Sequence, residues 1–285
     1  MPFEPETIAV LIDSTPAGWR RASLAVALAR RWNAHVTGIH LVYARVQVPP
    51  SLSYALGTEA TRNAIAYEDK LNADAEAADA ELGERFRSHC AQLGVDAEFH
   101  PVGRGKTLQD AIRIARNSDL AITRHAAEGE QPELMSPDGV LIAAGVPVLV
   151  VPDGWEGNAI GDRVVIGWNE SPEARRAISG AMAIIVGAKL ATVLVINPGL
   201  TPQHGAEPGA DIASYLARHG AHVEVDRADS SDDSIAETML RYAVDHGADL
   251  LVLGAYSHAR WREVLFGGTT KSLMKEMPVP VLISN

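Results

Sequence analysis

Apolar residues along this chain recur in two rhythms. Ile8–Ile12, Ala34–Val42, Leu120–Thr123, Val148–Val151, Arg163–Gly167, Ala191–Ile196, Leu250–Leu253 and Val281–Ser284 are short, mostly apolar runs bounded by turn-forming residues. Such runs predict parallel strands covered on both faces. Val95–Pro101 and Ala221–Asp226 are more mixed and predict the remaining two strands. Between the runs, apolar positions step by three and four. Leu71, Ala75, Ala78, Leu82, Phe86, Cys90 and Leu93 form one such stripe, which predicts a long amphipathic helix. Asp69, Asp74, Asp79, Glu81 and Glu84 lie mostly off the stripe and read as a solvated face. Helix entries follow from Thr15-Pro16 and from Ser171, since a hydroxyl caps a helix and proline suits its first position. Further helices are expected over Thr107–Asn117 and from near Ser136, Ala210, Asp233 and Gly268. Gln47–Thr61, with Pro49, Pro50 and Gly57, reads as a surface loop.

The pattern occurs twice. Asp13 and Asn169 are 156 positions apart, as are Pro16 and Pro172. Arg20-Arg21-Ala22 returns as Arg175-Arg176-Ala177, Ser118-Asp119-Leu120 as Ala248-Asp249-Leu250, and Val146-Pro147-Val148-Leu149 as Val279-Pro280-Val281-Leu282. Matches in one order imply a duplicated unit. The offset falls to about 130, so the first copy carries about 25 extra residues between its second and third strands. The expected domains are 1–152, with an insertion near 46–70, and 162–285. Strands alternating with helices predict an α/β fold, with right-handed crossovers and helices on both faces of a parallel sheet.

Composition narrows the partners. Hydrophobic residues make up 47% and aromatics 5%, so Ala, Val, Leu and Ile fill the cores. The formal net charge of −11 disfavours nucleic acid and anionic membrane surfaces. The amino terminus is acidic and has no signal-peptide core, and Ala181–Ile196 is too short to span a bilayer. The single cysteine, Cys90, excludes an intrachain disulfide and is consistent with a reducing, cytoplasmic setting.

Residues 249–284 carry the candidate chemistry. Gly254 ends a strand, and Gly267-Gly268 precede a helix that Thr269 and Thr270 begin. Glycines before a helix let backbone N–H groups approach an anion, and the helix dipole favours it. The spacing is Gly254, two residues, Ser257, nine residues, Gly267 and Gly268. It resembles the nucleotide loop of the universal stress protein family, Gly-x2-Gly-x9-Gly-Ser/Thr. Ser257 stands where a glycine is usual, and Gly268 where a Ser or Thr is usual. The resemblance implies two tandem open parallel five-stranded sheets of strand order 3-2-1-4-5, Rossmann-like in character. It also implies an intramolecular pseudo-dimer through the last strands, with scope for a further homodimer. Its implied ligand is an adenine nucleotide, ATP or AMP, and its implied role is cytoplasmic stress response.

In an open α/β sheet the ligand crevice lies beyond the carboxyl ends of the strands, where strand order reverses. Asp13 and Asn169 stand there in the two copies, and Gly254 ends the fourth strand of the second. Asp13 matches the family's acid near adenine or ribose, and it is also a natural turn residue before a helix. In the first copy, Leu134, Met135 and Ser136-Pro137 replace the glycine loop, and proline removes an N–H. The second copy keeps glycines but has Asn169 in place of the acid. Arg260, Arg262 and Lys271 lie close in sequence. The expected binding residues are therefore Asp13, Asn169, Gly254, Ser257, Gly267, Gly268, Thr269 and Thr270.

Other chemistries are poorly supported. Gly103–Thr107 ends like a P-loop, but His100 stands where its first glycine belongs. The ten histidines include no His-x3-His pair, so no metal cluster is expected. No Gly-x-Ser-x-Gly elbow occurs. Three readings stay open: a binding module without efficient catalysis, a slow ATP hydrolase, and a scaffold with vestigial pockets for another ligand.

Overall fold

A computed structural model of the chain describes residues 4–41, 57–102, 108–124, 144–200, 207–230, 234–254 and 277–284. Its first half contains β1 (Thr7–Leu11), α1 (Pro16–Trp32), β2 (His35–Leu41), α2 (Gly57–Gln92), β3 (Ala97–Val102), α3 (Leu108–Ala115), β4 (Leu120–Arg124) and β5 (Val148–Val151). The second contains β6 (Arg163–Gly167), α4 (Pro172–Val186), β7 (Leu190–Ile196), α5 (Ala210–Arg218), β8 (Val223–Ala228), α6 (Ile235–Asp245), β9 (Leu250–Gly254) and β10 (Val281–Ser284).

All ten strands join one open sheet, ordered β3-β2-β1-β4-β5-β10-β9-β6-β7-β8. Each half is parallel and has the order 3-2-1-4-5. The halves meet where β5 and β10 pair antiparallel, Leu149 opposite Leu282. The two five-stranded units are thus continuous, and the pairing removes two edges that would otherwise stay open. Among the described strands, β3 and β8 are the edges.

Alternation along the strands feeds two cores. Ile8, Val10, Leu250 and Val252 face α1, α2, α4 and α5, whereas Ala9, Leu11, Leu251 and Leu253 face α3 and α6. This two-sided burial explains the unbroken apolar runs. At the amino ends of the strands, Asp119 accepts from the backbone N–H groups of Glu6 and Thr7, at 2.9 and 3.0 Å. Asp249 does the same for Gly161, Asp162 and Arg163 at 2.9, 2.9 and 3.2 Å. The repeated Asp-Leu pair therefore holds the start of each half's first strand.

Three expectations change. The loop expected over Gln47–Thr61 ends early, because α2 already begins at Gly57; much of the extra chain in the first half is helix, 36 residues in α2 against 9 in α5. Asp79 is buried rather than solvated, and its carboxylate lies 3.4 Å from His40 Nε2. The Arg-Arg-Ala match is one residue out of helical register. Thr15 and Ser171 are the observed N-caps, so Arg21 corresponds to Ala177. Cys90 is buried as expected, and burial pushes its thiol up to about 11.

Candidate functional site

In each half the strand order reverses between the first and fourth strands, where a ligand crevice is expected, and the same local device stands at their carboxyl ends. In the first, Asp13 Oδ1 accepts from Thr15 N at 2.9 Å and from the Thr15 hydroxyl. Thr15 Oγ1 in turn accepts from Gly18 N at 3.0 Å, which satisfies an orphan donor of α1. In the second, Asn169 Oδ1 accepts from Ser171 N at 3.2 Å, and Ser171 Oγ accepts from Ala174 N at 3.1 Å. Both side chains therefore act first as turn-formers.

The crevices differ in what surrounds that turn. Arg21 lies on the buried stripe of α1 and is only 1% exposed. Its Nη2 donates to Asp13 Oδ2 at 2.6 Å, its Nη1 to Asp153 Oδ1 at 2.5 Å, and its Nε to Leu11 O at 3.3 Å. Arg124, at the end of β4, brings Nη1 to 3.9 Å from Asp153 Oδ2, and Arg20 donates to the Asp153 carbonyl at 2.5 Å. The carboxylate of Asp13 is thus engaged by the protein on both oxygens.

In the second half the corresponding positions are Asn169, Ala177 and Gly254. Gly254 closes β9, and a Cβ there would lie 2.4 Å from Ala174 N and 2.5 Å from the Glu173 carbonyl carbon. Those are backbone atoms of the first turn of α4, so only glycine admits this approach. The amino terminus of α4 is thereby drawn onto the end of β9, beside Asn169. Ser257, Gly267, Gly268, Thr269 and Thr270 lie outside the described residues, as do Arg260, Arg262, Lys271, Gly103–Thr107 and Leu134–Pro137. Of the expected binding residues, Asp13 falls in the first crevice, and Asn169 and Gly254 at neighbouring strand ends of the second.

The Arg21–Asp13–Asp153–Arg124 network escaped the sequence reading. Its one signal is an arginine at an apolar position of a helical stripe, between Gly18 and Ala25. Among the described residues no cluster of three or more His, Cys, Asp or Glu could hold a metal ion. No described helix is long and apolar enough to cross a membrane.

The fold is a doubly wound α/β sheet, a class in which ligands sit where strand order reverses. The family model for the universal stress protein family matches residues 161–285. The match covers the second half of the chain. A universal stress protein from Synechocystis, Slr1230, is 39% identical over 46 residues; the match spans 16% of this chain and 16% of that relative. The solved structure of a universal stress protein from Archaeoglobus fulgidus shares the fold across both halves. It has a TM-score of 0.67 at 16% identity, covering 98% of this chain and 96% of that one. A functionally unknown protein from Pseudomonas aeruginosa PAO1 aligns at TM-score 0.55 and 15% identity, covering 98% and 92%.

Proposed function

We propose that the chain is a tandem stress-response protein of the cytoplasm, made of duplicated domains at 1–152 and 162–285, that binds one adenine nucleotide, ATP or AMP, in its second half. Asn169, Gly254, Ser257, Gly267, Gly268, Thr269 and Thr270 are the residues assigned to the ligand. Asn169 can donate to and accept from a purine or ribose, the glycine backbone approaches the phosphates, and the threonine hydroxyls donate to them. The family match covers residues 161–285, in this half. The observation that carries the reading is the close approach of Gly254 to the first turn of α4, at a strand end that itself contributes no side chain.

The first half is proposed as a partner domain rather than a second nucleotide site, because Arg21 and Thr15 already hold Asp13. Neither nucleic acid nor membrane is proposed as a partner, given the net charge of −11.

The test is a thermal melt with and without ATP or AMP, joined to mass spectrometry of any small molecule released on unfolding. A ligand at a hundred times its Kd stabilises the folded state by about 2.7 kcal/mol. A melting temperature unmoved by either nucleotide, with nothing released, would sink the reading. A rise that persists in Gly254→Val would place the ligand elsewhere.

A further inference from the structure

We infer that the rim of the first half carries a separate site for a small oxyanion of the phosphate class, and that the chain's own Asp153 carboxylate occupies it. Three guanidinium groups from two elements converge on this one residue. Arg20 and Arg21 come from α1 and Arg124 from β4. Arg21 Nη1 meets Asp153 Oδ1 at 2.5 Å, Arg124 Nη1 stands 3.9 Å from Oδ2, and Arg20 Nη2 donates to the Asp153 carbonyl at 2.5 Å. Guanidinium forks suit carboxylate and phosphate alike.

The two sides of the contact are unequal in burial. Arg21 is 1% exposed and the Asp153 side chain 36%. The cations are thus built into the domain, while the carboxylate reaches them from the solvent side, on the connector that follows β5. Asp13 stays on Arg21 when Asp153 leaves, so what Asp153 vacates is its contacts with Arg21 Nη1 and Arg124 Nη1 and the carbonyl contact with Arg20. The second half has no such cluster among the described residues: Arg176 pairs with Glu173 at 2.9 Å, and Ala177 and Gly254 stand where Arg21 and Arg124 would. A tethered carboxylate acts at an effective concentration on the order of mM or higher. Asp153 therefore inhibits the site, and a free anion must displace it.

Asp153→Ala vacates the seat, and Asp153→Asn keeps the shape while removing the charge should the first variant fold poorly. Both are melted beside wild type in sodium phosphate and in sodium chloride of matched ionic strength, with sodium formate as a second probe. The expected result is a saturable phosphate-dependent rise in at least one variant that exceeds any rise in wild type by roughly 2–4 °C. Adding Arg124→Met should abolish that excess. Equal melts in phosphate and chloride for both variants would overturn the inference, as would a rise no larger than that of wild type or an excess that survives Arg124→Met. Stabilisation by formate without phosphate would reduce the site to a carboxylate seat and overturn the phosphate assignment. None of these arms contains nucleotide, and phosphate held by the glycine loop of the second half would appear equally in wild type. Failure here and failure of the nucleotide reading are therefore separable.

Discussion

The first and second crevices share a turn, a capping hydroxyl and a proline-led helix, yet they are filled in opposite ways. Asp13, Arg21 and Arg124 in the first correspond to Asn169, Ala177 and Gly254 in the second. One set is charged and mutually paired; the other is neutral and small. A strand end in an α/β sheet can carry an internal salt network, as in the first half, or small neutral residues, as in the second. The difference is local, because the strand order around both crevices is the same.

The largest effect should come from removing the buried cation. Arg21→Met leaves Asp13 and Asp153 without their common partner and should cost about 3 kcal/mol of stability, since breaking a buried pair strands the remaining charge. Urea denaturation measures it. The comparison is sharpened by repeating the change in an Asp13→Asn, Asp153→Asn background, where the loss should fall below about 1 kcal/mol. Equal losses in the two backgrounds would mean that Arg21 matters for its packing and not for its charge.

Next in size is Gly254→Ala. Its new Cβ would sit 2.4 Å from Ala174 N, and backbone atoms cannot swing aside. Overpacking of this kind costs about 1–3 kcal/mol. The mirror change, Arg124→Gly, introduces no backbone clash, and its contact of 3.9 Å to a part-exposed carboxylate accounts for under about 1 kcal/mol. If the mirror change proves the more damaging, the second crevice is not the one whose backbone approach is constrained.

How far this contrast was readable in the sequence follows from how local each part is. The strands were legible because burial on both faces writes itself as continuous apolar runs. The repeat was legible at Asp119 and Asp249 because each carboxylate answers a fixed need, the free N–H groups at the start of a first strand. The family resemblance supplied the strand order and the pairing of last strands, and β5 and β10 do pair. The ion network was not legible. Arg21 meets Asp153 across 132 positions, and nothing near either residue announces the other. The Arg-Arg-Ala match even pointed wrongly. A slip of one residue turns a helix by about 100°, which moves Arg21 off the buried position that Ala177 shares. Asp79 was misread for a related reason: a helix that is mostly solvated still turns one carboxylate toward His40.

The capping turns give a smaller effect. Thr15→Ala and Ser171→Ala each remove the acceptor for an orphan helix N–H, at 3.0 and 3.1 Å, and should each cost about 1 kcal/mol. Thr15→Ala should cost more, because the Thr15 hydroxyl also donates to Asp13. Chemical denaturation of the two single variants ranks them, and the reverse ranking would show that the network does not lean on its turn.

The smallest effects are in pH dependence, and there the halves carry opposite signs. Asp226, on β8, is held below the usual aspartate value of 3.8, first by the Tyr242 hydroxyl that donates to it at 2.6 Å. An acid with a lowered folded pKa contributes stability that is present above its unfolded pKa and lost as pH falls through the folded one. Asp79, on α2, is raised above 3.8, first by burial, with the charge of His40 opposing. Its contribution is fully present below the unfolded pKa and lost as pH rises through the folded one. Tyr242→Phe should therefore flatten a loss of stability on the acid side, and Asp79→Asn a loss on the way up. Each is expected to be below about 1 kcal/mol, because Asp226 is only partly shielded from water and at Asp79 the charge of His40 opposes the effect of burial. Urea midpoints taken at intervals between about pH 3 and pH 6 read both. Flattening on the same limb in both variants would mean that at least one of these carboxylates sits in a different environment from the one described.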